Sequence, residues 1–218
     1  MELLNAFLQF FLHLDTSLQG VINQYGAVTY IILFAVIFAE TGLVVTPFLP
    51  GDSLLFAAGA LASSTILDPL PLFVVLGVAA ILGDAVNYAV GHAIGKRALT
   101  GEIPMIKKEY LDKTHVFYQK YGNKTIVIAR FVPIVRTFAP FVAGVGRMTY
   151  RHFATYNVIG AIVWVGSLIS AGFFFGELPF VKKNFELVIV AIIIFSVLPG
   201  VYEWWKAHAR AGEQKEAQ

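Results

Sequence analysis

The 218-residue chain contains no cysteine, which excludes a disulfide framework and any thiol chemistry. It has no lysine or arginine before Lys96, although Glu2, Asp15, Glu40, Asp52, Asp68 and Asp84 precede that point. A secretory signal peptide opens on a basic stretch, so this absence argues against one. Charge of either sign is scarce, at 14% of residues against about 25% in soluble domains. No P-loop, H-E-x-x-H helix or G-x-S-x-G nucleophile elbow is present. Nor is there a phosphatase-like grouping of Lys, Arg, Ser and His. His13, His92, His115, His152 and His208 are not at metal-ligand spacing. The expectation is a protein that is not an enzyme, with no cofactor, no metal and no nucleic-acid partner.

What the chain does contain is apolar length. Hydrophobic residues make up 57% of it, and the mean hydropathy is +0.71. Apolar runs at 71–94, 153–175 and 185–204 match the roughly 20 residues that cross a bilayer as a helix. The fold class expected is an all-α polytopic membrane protein forming one membrane domain. Lys96, Arg97, Lys107, Lys108, Lys113, Lys120 and Lys124 fall together, which makes 96–124 a cytoplasmic loop by the positive-inside rule. The segment before the first run, SSTILDPLP, has no basic residue and reads as external. Lys182 and Lys183, in the short loop before 185, run against the same rule.

The stretch ARFVPIVRTFAPFVAG (129–144) carries two arginines and two prolines in an otherwise apolar setting. An arginine at the centre of a bilayer helix costs about 3 kcal/mol on insertion scales, and proline breaks or kinks a helix. Both flanks of 125–147 are basic, so entry and exit on the cytoplasmic side satisfy the charge rule. The segment therefore reads as a re-entrant hairpin, with Pro133 and Pro140 bracketing its break. Broken there, Arg130 and Arg136 can converge, although on one continuous helix they would lie about 240° apart. Non-helical backbone at that depth is tolerated where protein buries it or a wet cavity receives it.

The first half has the same character. In AETGLVVTPFLPGDSLLFAAGA (39–60), Pro47, Pro50 and Gly51 make a continuous helix implausible. The resulting organisation is an interfacial helix (1–27), hairpin one (28–65), a transmembrane helix (71–95), the cytoplasmic loop (96–124), hairpin two (125–147), transmembrane helices at 153–176 and 185–204, and a cytoplasmic tail (205–218). The halves also correspond. Tyr25-Gly26 and Tyr121-Gly122 precede the hairpins, Glu40 with Pro50 matches the spacing of Arg130 with Pro140, and Gly91-x-x-x-Gly95 matches Gly172-x-x-x-Gly176. The helices that follow the hairpins run in opposite directions, so the repeats are inverted. Inverted repeats with broken helices mark secondary transporters, whose site lies where the breaks meet.

The stretches ETGLVVTPFLPGDSLLFAAGALAS, GDAVNYAVGHAIGK and ARFVPIVRTFAPFVAGVGRMTYRHFATYNVIGA resemble the DedA family of bacterial inner-membrane proteins, across nearly the whole chain. That family is related to the VTT-type lipid scramblases of eukaryotes. The resemblance implies movement of a phosphate-bearing lipid, such as undecaprenyl phosphate or phosphatidylethanolamine, with dependence on the proton gradient. It implies functional charges at Glu40, Asp52, Arg130 and Arg136. The implied location is the bacterial inner membrane; Lys206, Arg210 and Lys215 make the C-terminal tail cytoplasmic by the charge rule.

Each charge has a chemical reading beside a plainer one. Arg130 and Arg136 supply permanently charged planar forks suited to phosphate, and Thr137 is placed to cap the second arm beside them. Their plain alternative is an ion pair with Glu40 and Asp52, folded into the core. Glu40, closing an apolar run, reads as a proton carrier, and Asp52 either as its partner or as a cap for the arm starting at Ser53. Asp84 shares a helix face with Tyr88, Gly91 and Gly95, and is a further proton or headgroup contact. Trp164 reads as a lipid-facing or packing residue. The partners expected are membrane phospholipid or polyprenyl phosphate and protons, with a homodimer admitted. The competing function is a proton-coupled cation antiporter serving membrane energetics and pH homeostasis, in which Glu40 and Asp52 bind the ion.

Overall fold

Glycine at two matched positions turns the chain into two matched helical segments. Gly26 and Gly122 adopt φ of 54° and 58°, a left-handed conformation that costs glycine little. Each opens a 3-10 turn, Gly26–Val28 and Gly122–Lys124, which runs straight into an α-helix. The computed structural model describes residues 14–43, 51–94, 118–119, 121–146, 148–192 and 194. Among them all regular structure is helical. The principal helices are α1 (Leu14–Tyr25), α2 (Thr29–Gly42), α3 (Gly51–Ala62), α4 (Pro69–Ile94), α5 (Thr125–Ala129), α6 (Pro133–Val145), α7 (Tyr150–Phe175) and α8 (Pro179–Lys183). Pro47, Pro50, most of the basic loop 96–124 and all of 195–218 lie outside the described residues.

Among the described residues, three segments are long and apolar enough to cross a membrane: Thr16–Gly42, Pro69–Ile94 and Tyr150–Phe175. The last two contain the runs at 71–94 and 153–175, each starting a few residues earlier than hydropathy indicates. Asp68 accounts for the first early start. Its Oδ1 accepts a hydrogen bond from Leu70 N at 2.9 Å, with Pro69 at the helix start, where a missing N–H costs nothing. Residues 1–27 read as an interfacial helix and 28–65 as hairpin one; α1 and α2 are joined by the 3-10 turn, and Thr16–Gly42 within them is 27 residues long. A polar residue every few positions in α1 hides this length from hydropathy.

The chain break in the second half follows from Pro133. Residues before proline avoid the helical region, and Val132 is extended (φ −124°, ψ 103°). α5 therefore ends in tightened bonds, Arg130 N to Val127 O and Val132 N to Ala129 O, and α6 starts afresh at Pro133. Pro140, expected to bracket this break, lies instead inside α6. The break falls on 130–132, before the first proline and not between the two.

Packing exchanges the halves. α3 lies along α7 and α6 lies along α4, while α2 packs on α4 and α5 on α7. Small residues let the backbones approach. A Cβ on Gly59 would overlap Ile169 O, and one on Gly172 would overlap Phe56 O; Gly91 and Gly144 play the same parts between α4 and α6. At the far end of α3, Ser63 Oγ donates to Glu177 Oε1 at 2.9 Å, and Lys182 Nζ lies 2.6 Å from Glu177 Oε2. Lys182, one of the two lysines that ran against the charge rule, thus has its countercharge in the same loop. The Lys182 ammonium, with the Ser63 hydroxyl behind it, holds the exposed Glu177 carboxyl below its usual range.

Candidate functional site

The end of α2, the start of α3 and the break between α5 and α6 meet between the middles of α4 and α7. Each of these places one or more charges there. Arg136, on the first turn of α6, donates through Nη2 to Glu40 Oε1 at 2.5 Å and through Nη1 to Asp52 Oδ1 at 2.7 Å. Glu40 is 4% exposed. Gly51, expected at a chain break, begins α3 directly against it: a Cβ there would overlap the Glu40 carboxylate. The glycine is what lets the carboxylate sit at the mouth of α3.

Arg130 does not share those partners. Its Nη2 lies 2.5 Å from Asp84 Oδ2 on α4 and 2.5 Å from Asn157 Oδ1 on α7. Asn157 in turn donates from Nδ2 to Ile81 O at 3.0 Å, which cross-ties α4 and α7. Gly160 makes the room, since a Cβ on it would come within 2.9 Å of Arg130 Nε. The four charges expected to form one neutral set therefore form two. One joins Arg136 to Glu40 and Asp52; the other joins Arg130 to Asp84, the carboxylate read only as a further contact.

Trp164 connects the two sets. The indole is 2% exposed, so it faces neither lipid nor water. Its Nε1 donates to Asp52 Oδ1 at 2.8 Å, the same oxygen that Arg136 holds. The guanidinium carbons of Arg130 and Arg136 each lie 5.6 Å from the ring centroid, within cation–π reach. The arginines thus converge, as a broken segment allows, on an aromatic ring that hydropathy reads as ordinary apolar filling. Asn87 and Asn157 are further residues to which the sequence assigned no role. Asn87 Nδ2 donates to Thr41 O at 3.2 Å and Thr137 O at 2.8 Å, pinning the ends of both broken segments to α4. Asn87 and Asn157 had a signal: an amide inside a spanning run needs a partner.

Thr137 corrects one expectation. It is the fifth residue of α6, buried, and Val132 occupies the cap position. It lines the cavity without capping the helix. That cavity, of about 20 Å³, is bounded by Glu40, Asp84, Arg130, Arg136, Thr137 and Trp164, with Pro140 at its edge. It has room for about one water molecule. Arg130 Nε is buried and has no hydrogen-bond partner among the described residues. No group of acidic, histidine or cysteine side chains able to hold a metal occurs among them either.

Residues 49–174 match the family profile described as VTT domain. The chain is 55% identical over 206 residues to protein DedA of Escherichia coli, covering 93% of this chain and 94% of that protein. It is 39% identical over 174 residues to an uncharacterized membrane protein of Mycobacterium leprae, covering 79% and 78%. It is 32% identical over 172 residues to the inner membrane protein YghB of Escherichia coli, covering 78% of each. No solved structure matches it significantly.

Proposed function

This chain belongs to the VTT-domain family of membrane proteins, with DedA among its relatives, and we propose that it moves a phosphate-bearing lipid across the bacterial inner membrane, coupled to protons. The observation that carries the reading is the convergence of Arg130 and Arg136 on Trp164 beside a cavity, Arg130 buried and Arg136 partly buried among helices of spanning length. A single structural ion pair needs one arginine. Two, with an unspent Nε donor on Arg130, make a receptor for an anion with several oxygens. The acyl chains remain in the bilayer while the headgroup passes the site. Undecaprenyl phosphate and phospholipids both present such a headgroup. The relative YghB is an inner membrane protein, which supports that location.

In this reading α2 with α3, and α5 with α6, are re-entrant hairpins of two inverted repeats. Three features support it: the matched left-handed glycines, the break before Pro133, and the exchange by which each second arm packs on the long helix of the other half. The loop 96–124 and the C-terminus are then cytoplasmic. Cysteines at positions 123 and 149, in this naturally cysteine-free chain, are expected to react with an impermeant maleimide from the cytoplasmic side only. Labelling of either from outside means that 125–147 crosses, and the inverted-repeat topology is lost.

One observation favours the competing cation antiporter. Among the described residues, the ion pairs of the site join three carboxylates, Glu40, Asp52 and Asp84, to two guanidiniums, Arg130 and Arg136. Reconstitution separates the two. Proteoliposomes holding a fluorescent phospholipid should exchange it between leaflets faster than protein-free vesicles, and faster still with a proton gradient imposed. Exchange at the protein-free rate in both conditions, with cation-dependent proton flux instead, would establish the antiporter.

A further inference from the structure

We propose that Trp164 is the positioning residue that holds Arg130 and Arg136 together as one two-pronged receptor, and that takes charge of Asp52 when a headgroup displaces it. The inference rests on the lipid-headgroup reading above and goes further, by assigning the element that makes two separately paired arginines act on one ligand. Arg130 answers to Asp84 and Asn157, on the long helices α4 and α7. Arg136 answers to Glu40 and Asp52, at the ends of α2 and α3. Asp84 also attracts Arg136, and Glu40 attracts Arg130, but the two like charges repel each other strongly at low dielectric. The indole adds an attraction that both guanidiniums share on one surface. Each guanidinium carbon is 5.6 Å from its centroid, and tryptophan has the strongest cation–π face of the three aromatic residues.

Its N–H does a second job. Asp52 Oδ1 accepts from Arg136 Nη1 at 2.7 Å and from Trp164 Nε1 at 2.8 Å. A phosphate that takes Arg136 removes the first donor and leaves the second in place. Asp52, which is only partly buried, then keeps a donor from the ring edge when Arg136 leaves it. The ring thus keeps both arginines on one side while its edge retains the displaced carboxylate. Space filling explains neither the shared oxygen nor the two equal arginine distances.

The test uses the full chain labelled with 5-fluorotryptophan, which places reporters at Trp164, Trp204 and Trp205; a Trp164→Phe sample assigns the first. The detergent-purified protein is titrated with dioctanoyl phosphatidic acid, and with dioctanoylglycerol as the phosphate-free control. The Trp164 resonance should move saturably with the phosphate lipid alone. By calorimetry, Trp164→Leu should weaken binding of that lipid on the order of 30-fold, as expected for losing a desolvated cation–π contact. Trp164→Phe, with a ring but no N–H, should fall between. Saturable binding with an unmoved Trp164 resonance and wild-type affinity in both variants overturns the positioning role and leaves the headgroup reading standing. No saturable binding by the wild type overturns both. Where Trp164→Leu fails to fold, the fluorine titration of the wild type decides.

Discussion

Arg130→Met should destabilise the detergent-purified protein by about 3–5 kcal/mol, because it strands the Asp84 carboxylate in the interior. Arg130→Met with Asp84→Leu should recover most of that loss and no transport at all. Both side chains of the pair are nearly inaccessible, and the pair cross-links α4 and the α5–α6 break. Burying two charges costs about as much as their attraction returns, so a pair of apolar residues of similar volume is close to neutral for stability. Recovery should fall short by about 1–3 kcal/mol, since Asn157 Oδ1 loses the donor that Arg130 provided. Unfolding in denaturant measures the first quantity, and lipid exchange in proteoliposomes the second. Retained transport in the double variant would reduce Arg130 to a structural tie and leave Arg136 alone at the site. Arg130→Lys and Arg136→Lys ask a different question: each should insert and fold, and lose most transport. A lysine ammonium replaces a planar fork by one compact charge, so it cannot reach Glu40 and Asp52, or Asp84 and Asn157, from one rigid group.

The contrast between those variants marks how far the sequence could be read. Glu40, Asp52, Arg130 and Arg136 were legible because each is expensive in an apolar run, and an expense that large needs a reason. The break near Pro133 was legible for the same local reason, the restriction that proline places on its predecessor. Which acid meets which arginine was not. Pairing depends on how α4 and α7 are packed, and Asp84 lies 46 residues from Arg130 in the chain. Pro140 misled because a proline in a helix interior reads as a break, whereas in α6 the surrounding helices supply the packing that holds the helix through it. Trp164 was illegible for a deeper reason. An indole is apolar by composition and polar at one edge, so only its neighbours decide whether that edge matters.

Glu40→Gln should flatten the pH dependence of lipid-phosphate binding and leave the protein binding at least as tightly as wild type does at its most favourable pH. In the wild type, a phosphate must compete with Glu40 and Asp52 for Arg136. A proton arriving on Glu40 removes one competitor, so wild-type binding should strengthen as pH falls between about 8.5 and 5.5. Glutamine makes that removal permanent: its amide oxygen still accepts from Arg136 but carries no charge to hold it. Glutamine is nearly isosteric with glutamate, so the variant should fold. Transport by Glu40→Gln should then ignore an imposed proton gradient while the lipid still binds. A cation antiporter demands the opposite pattern. There the surplus carboxylate is the ion's ligand, Glu40→Gln abolishes ion-dependent proton flux, and phosphatidic acid binds neither protein. Binding of dioctanoyl phosphatidic acid to both proteins across that pH range separates the outcomes. Parallel pH profiles for wild type and Glu40→Gln would remove Glu40 from the coupling and shift it to Asp52, the other carboxylate that Arg136 holds.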